Sequence, residues 1–290
     1  VRAPATRGAA PAARLVSVRR IASVGREPPQ SGPPPLHRPI AYNLVRSVFG
    51  AANGVPRGID RIDFGYLSDL FETWPGECLG VLPTPWGVRI FPRERVLRAR
   101  DRLAEIWQER DPQGEDPALA RLRTAWLGGG AAAPRGARRP ATSDLADLVR
   151  ALRFLFSEWP TPGRPIAALP RDALYLDIAH RGLWRPAALD WLDRRPDVAP
   201  VFMIHDVIPL SHPTLVSPAN AQRHATVLDV TARRARAVLT STAAAAAEIG
   251  AELARRGRPD LPIHAVPLPI DDLFRRPHVP NPVIATHPYF

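Results

Sequence analysis

The chain contains no lysine: all 39 of its basic residues are arginine. This excludes a Walker-type phosphate loop and a Schiff-base nucleophile, since both need an ε-amine. The single cysteine, Cys78, excludes an internal disulfide and any multi-cysteine metal site, and makes the cytoplasm the expected compartment. No window of 18 residues is apolar enough to span a bilayer; even the alanine-rich stretch 243–254 carries Glu248 and Glu252. The first residues lack the apolar core of a secretory signal. The glycines at 50, 54 and 58 are four apart, so the dinucleotide pattern G-x-G-x-x-G is missing. So are the G-x-S-x-G elbow and the H-E-x-x-H zinc helix.

What remains is a 290-residue chain, long enough for two ordinary domains or one large one. The net charge of +11 invites a nucleic-acid reading. However, arginine without lysine, beside abundant alanine and proline, reads as base-composition bias rather than phosphate binding. The charge is also uneven: residues 1–38 hold seven arginines against one glutamate. No nucleic-acid partner is expected.

Residues 1–38, with "PPQSGPPP" at 28–35, show no periodicity and read as a disordered leader. The chain opens on Val1 and its one methionine is Met203, so an alternative start codon or a shifted frame is the expected origin of that leader. From 39 to 280 a single α/β domain is expected. "IAYNLV" at 40–45 predicts a first strand, followed by a loop through Gly50, Gly54 and Gly58. Ile59, Ile62, Tyr66, Leu70 and Phe71 recur at helical spacing. "CLGVL" at 78–82 predicts a strand and 93–110 a helix. "GGGAAAPRGARRPAT" at 128–142 reads as a low-complexity loop, and 143–157 as a helix. "ALYLDI" at 173–178 predicts a strand, Pro186 the first turn of a helix to about Arg194, and Val201–Ile204 a strand. Ala221, Ala225, Leu228, Ala232 and Ala235 mark a helix face, followed by "AVLT" at 237–240 as a strand. Ser241 or Thr242 should cap a helix ending near Gly257, and "IHAVP" at 263–267 is the last strand. Strands alternating with helices imply right-handed crossovers and a mainly parallel, Rossmann-like doubly wound sheet.

"VFMIHDVIPLSHPTL" at 201–215 breaks this rhythm, with His205 and Asp206 placed where a core strand ends. In open α/β sheets ligands bind outside the carboxyl ends of the strands. "AHRG" at 179–182 and the glycine loop 50–58 follow other strands, so Arg57, His180, His205 and Asp206 are expected at one mouth. The plain alternatives are that His205 caps a carbonyl and that Asp206 forms a turn. His212, His224 and His264 read as structural or solvated. His205, Asp206 and His212 fall on separate loop segments, which argues against a metal site.

The stretches "MIHDVIPLSHPTL", "ARRARAVLTSTAAAAAEI" and "IHAVPLPID" resemble, in order and spacing, the N-terminal half of family-4 glycosyltransferases, retaining sugar transferases of the GT-B fold. "YLDIAHRGLWRP" at 175–186 and "NGVPRGIDR" at 53–61 fit the same family. The resemblance covers about 40–290, with Pro269 standing where the family has glycine. It implies transfer of a sugar from a nucleotide sugar to a glycan or lipid-linked acceptor in bacterial surface polysaccharide synthesis. It implies no cofactor and no metal, and a site at the inner face of the cell membrane with peripheral contact to it. It makes His205 and Asp206 the catalytic pair, and Gly54, Arg57, Gly58, His180 and Arg181 the donor- and acceptor-binding residues. In the family, the stretch matching 281–290 leads into the donor-binding domain. On this reading the chain is an acceptor half, inactive alone, with the donor domain missing. A non-catalytic remnant or pairing subunit, its donor domain on a separate chain, and a metal hydrolase are the alternatives.

Overall fold

The computed structural model describes residues 37–53, 56–84, 86–109, 154, 157, 162–180 and 182–269. The low-complexity loop 128–142, the lead-in 281–290 and the leader up to residue 36 lie outside them; of the expected helix 143–157, Phe154 and Ser157 are described. The leader's last two positions, His37 and Arg38, are docked. The His37 ring meets Trp74 edge-on, and Arg38 Nε donates to the Asp172 carbonyl at 2.8 Å.

Short apolar runs supply the central strands, and a two-residue Arg-Pro strand is added at one edge. They are β1 (Ile40–Asn43), β2 (Cys78–Thr84), β3 (Gly87–Pro92), β4 (Arg164–Pro165), β5 (Leu174–Asp177), β6 (Ala199–Met203), β7 (Ala237–Thr240) and β8 (Ile263–Ala265). They form one sheet in the order β4-β3-β2-β1-β5-β6-β7-β8. The pairs β2–β1, β1–β5, β5–β6, β6–β7 and β7–β8 are parallel; β3 is antiparallel to both β2 and β4 at one edge. The expected α/β class and mainly parallel doubly wound sheet are therefore present. The β2–β3 ribbon was not foreseen: the six residues of "GVRIFP" are too short and too mixed to declare a strand without their partner.

Helices cover both faces. α1 (Val45–Asn53), α2 (Gly58–Thr73) and α3 (Arg93–Glu109) cover one, and α4 (Asp190–Asp193), α6 (Pro218–Arg234) and α7 (Ala243–Arg255) the other. Between β6 and α6 lie the short α5 (Ile208–Ser211) and a 3₁₀ turn, Pro213–Leu215. Strand parity decides the faces. Ile40, Tyr42, Leu174, Leu176, Val201 and Met203 point to the α1–α3 side, joining Val48, Phe64, Leu70, Val96 and Leu103. Ala41, Tyr175, Phe202 and Val238 point to the other side, joining Trp191, Val227, Leu228, Ile249 and Leu253. Gly80 on β2 is a close-packing requirement, because a Cβ there would collide with the side chains of Leu44 and Val96.

Two expectations need correction. The segment after β1 is helix α1 rather than a glycine loop. The Asn43 Oδ1 accepts the Val45 N–H at 2.9 Å, starting the helix, and Gly50 sits inside it. Gly50 is small because Trp107 packs on it: a Cβ would lie 3.1 Å from the indole, whose Nε1–H donates to the Gly50 carbonyl at 3.2 Å. The helix expected from Pro186 to Arg194 is a 3₁₀ turn, Pro186–Leu189, running into the short α4. By contrast, β7 matches its expected bounds. Thr242 caps α7 by accepting the Ala245 N–H at 3.1 Å, and Gly257 ends the turn with φ +78°. Among the described residues no helix is long and apolar enough to cross a membrane.

Candidate functional site at the carboxyl edge of the sheet

The winding direction reverses at β1. Its chain neighbour β2 lies on one side and β5 on the other, which is where a doubly wound sheet opens a crevice. The last residues of those two strands meet there. Asn43 and Asp177 point to the same face, and Asn43 Nδ2 donates to Asp177 Oδ2 at 2.6 Å. Beside them is a small cavity of about 20 Å³, room for about one water, lined in part by Tyr175, Asp177, Gly182 and Trp191. Asp177 is 2% exposed. Burial raises its pKa to about 7 against the Asn43 hydrogen bond, with a further push from the Asp63 charge.

The loop after β5 carries His180 and the loop after β6 carries His205, so neighbouring strands bring the two rings together, with centroids 5.6 Å apart. His205 Nε2 donates to the Ile178 carbonyl at 3.0 Å. A carbonyl can only accept, so that nitrogen carries the proton and Nδ1 is left as an acceptor. His180 takes a left-handed backbone, φ +44°, and its Nδ1 is buried without a hydrogen-bond partner among the described residues. Burial drives the His180 pKa down to about 3, helped by His205, His224 and Arg46. Burial also lowers that of His205, against its bond to Ile178 and the Asp206 charge. Both imidazoles are neutral at pH 7.

Asp206 does not orient His205. Its Oδ1 accepts the Ile208 N–H at 3.1 Å, the ordinary work of a turn-forming aspartate at the start of α5. His205 is oriented by Ile178 instead. His224, read from the sequence as structural or solvated, reaches the same place: its Nε2 donates to the Asp206 carbonyl at 3.0 Å, and its ring lies 6.2 Å from that of His180. No pattern in the sequence pairs an α6 position with the 205–206 loop; only the fold does.

The arginine that acts on His180 and His205 also differs from expectation. Arg57 is exposed at the start of α2, where its backbone N–H donates to Asp60 Oδ2 at 2.8 Å. It is Arg46, on the first turn of α1, whose charge acts on His180 and His205. Arg46 is ion-paired to the buried Asp60. Gly58 shows no close approach, since a Cβ there would meet open space. Gly54 and Arg181 lie outside the described residues. His212 is exposed and its Nδ1 is within 2.9 Å of Ser211 Oγ; His264 sits on β8 as expected.

On the opposite face, just beneath the crevice, lies a polar group that was not foreseen. Tyr42 Oη donates to Asp63 Oδ1 at 2.8 Å, and Ser47 Oγ donates to Asp63 Oδ2 at 3.2 Å. Burial raises the Asp63 pKa to about 7 even so. Among the described residues no group of three His, Cys, Asp or Glu side chains is arranged to hold a metal ion. No family model, curated protein or solved structure matches the chain.

Proposed function

We propose that this domain is the acceptor-binding side of a sugar transferase of the retaining, family-4 kind, working with a donor-binding domain that carries the nucleotide sugar. The observation that supports this most directly is the pair of neutral imidazoles at the carboxyl ends of neighbouring strands. His205 is fixed with its acceptor nitrogen unused among the described residues, and His180 holds a buried nitrogen with no partner among them. A sugar hydroxyl both donates and accepts, so it satisfies a neutral imidazole on either nitrogen without introducing charge. His205 holds the acceptor hydroxyl and His180 a neighbouring one. Placing the nucleophile against the donor is a positioning effect, which lowers the barrier without a metal or a strong base on this side. Arg46, with Arg57 at the outer rim, supplies positive charge toward a departing diphosphate. In this reading Asp206 shapes the loop rather than taking part.

The test is transfer from a panel of nucleoside-diphosphate sugars to glycan and lipid-linked acceptors, using this domain joined to or mixed with a donor-binding domain. His205→Ala should lower the rate about 10²-fold, and saturation-transfer NMR on the domain alone should show glycan contacts that the substitution abolishes. A domain that contacts no glycan by itself, and gives no transfer with any donor domain, defeats the proposal. Glycan binding with transfer unchanged in His205→Ala would leave the pairing-subunit reading in its place.

A further inference from the structure

We propose that Trp184, Arg185 and Arg223 form a binding site for a phosphate group at the rim of the histidine edge. That the phosphate belongs to the sugar acceptor rests on the transferase reading; the site itself does not. The chain leaving β5 starts at the crevice, where Gly182 lines the small cavity beside Asp177. Two successive turns then fold it back. The Leu183 N–H donates to the His180 carbonyl at 3.3 Å, and the Arg185 N–H to the Gly182 carbonyl at 2.8 Å. Trp184 is thereby set half-buried against the core under α6 and α7, with Arg185 exposed beside it. The Arg185 guanidinium carbon lies over the indole, 4.5 Å from its centre. A second guanidinium, that of Arg223 on α6, lies 5.1 Å from the centre of the same ring. Arg223 directly precedes His224, whose ring meets that of His180. Both arginines therefore stand on elements that also carry an imidazole to the site.

The electron-rich face of an indole attracts cations, and this holds two like charges close together. What the pair lacks is an anion: among the described residues neither guanidinium has a carboxylate partner. Elsewhere on the same face arginines are neutralised, Arg234 by Asp190 and Asp193, Arg256 by Asp229 and Glu252, and Arg195 by Asp197. A cation–π contact requires none of an arginine's five N–H donors, and these match phosphate oxygens two at a time. Two such forks around one ring suit a group with several anionic oxygens better than a single carboxylate. Arg46, paired to Asp60, belongs to α1 on the opposite face of the sheet. Positive charge is thus available on both faces, from Arg46 for the departing diphosphate and from Arg185 and Arg223 for the acceptor.

The measurement is a titration of the 290-residue chain with inorganic phosphate at constant ionic strength, followed by NMR of the arginine Nε–H and tryptophan Nε1–H groups. The signals of Arg185, Arg223 and Trp184 should shift together and saturate, while that of the exposed Arg233 stays still. Arg185→Gln and Arg223→Gln should each weaken binding roughly tenfold, the scale of one charge-assisted hydrogen bond. Trp184→Leu keeps apolar bulk on the core and every charge, yet should weaken binding comparably, because the two guanidiniums lose their common support. Amide spectra establish that each variant is folded. A shift that does not saturate, that chloride reproduces or that Arg233 shares overturns the proposal. So does undiminished binding in the arginine variants or in folded Trp184→Leu. A soluble sugar phosphate and phosphatidylglycerol vesicles then compete with the inorganic phosphate. Displacement by either supports the site and names its source, a free phosphate ester or a lipid headgroup; displacement by neither overturns it. None of these readouts needs a nucleotide sugar. Phosphate binding without transfer counts against the transferase reading alone, and transfer without phosphate binding counts against this site alone.

Discussion

Two polar groups lie on opposite faces of the same central strands and are built in different ways. Beneath the sheet, Asp63 and Asp60 are matched side chain to side chain: Tyr42 and Ser47 on Asp63, Arg46 on Asp60. Above it, at the carboxyl edge, the histidines bond to backbone: His205 to Ile178 and His224 to Asp206. A side chain that holds a partner side chain spends its polar atoms in doing so. A ring that holds a backbone carbonyl uses one nitrogen and keeps the other. The first arrangement joins helices to the sheet; the second leaves unused acceptors at a crevice. This is why the histidine edge, and not the more numerous acid network, is the candidate site.

The comparison can be broken most forcefully at Asp60. Asp60→Ala leaves the half-buried Arg46 guanidinium and the Arg57 N–H without their partner. It should cost about 3 kcal/mol in urea unfolding, the usual scale for removing one member of a buried pair. A loss below about 1 kcal/mol would show that Arg46 simply turns to solvent.

The pH dependence of stability sharpens the same contrast. Asp63 and Asp177 have folded pKa values near 7, above the ordinary carboxylate value, so between about pH 4 and 7 the folded state holds more protons than the unfolded one. Stability from these two groups falls as pH rises through that window. His180 is the reverse: with a folded pKa near 3 it opposes protonation, so its contribution is lost as pH falls from about 6.5 to 3. Asp63→Asn keeps groups that can bond Tyr42 and Ser47 but removes one of the two acidic slopes. Relative to the wild type it should be more stable at pH 8 than at pH 4, by on the order of 3 kcal/mol. Parallel stability curves for the two proteins would contradict the buried-acid account.

The smallest effect should come from Thr240, at the carboxyl end of β7. It is fully buried, and its hydroxyl has no hydrogen-bond partner among the described residues. Thr240→Val removes an unsatisfied polar atom at nearly constant volume, so thermal unfolding should show a gain of about 1 kcal/mol. A loss would mean that the hydroxyl has a partner, such as a bound water.

The second half of the chain was more legible in the sequence than the first. "AVLT" is apolar, bounded by an arginine and a capping serine–threonine pair, and β7 matches it residue for residue. Around β1 the same rules misled. Gly50 was read as loop because glycine usually marks one, whereas here it admits Trp107 from a helix 57 residues away. Asn43, Asp60 and Asp63 are buried without any local signal of it, because burial is a property of the packed helices and not of the local pattern. At the site, strand-end position was enough to single out His180 and His205. It could not separate Arg57 from Arg46, since that choice depends on where α1 and α2 come to rest. It also could not show that Asp206 serves its own loop while His224, 18 residues later, bonds to it.

The pairing of β1 with β5 has a consequence for the protein while it is being made. Asn43 and its partner Asp177 are separated by 134 residues. A ribosome adding about 5–20 residues per second takes roughly 7 to 27 seconds to deliver the second after the first. Through that interval β1 is an edge strand, paired to β2 at best, with a row of unsatisfied amides and carbonyls facing outward. The strand at the centre of the finished sheet is thus the one left open longest on the nascent chain. It is there that a chaperone, or a wrong partner strand, has its opportunity.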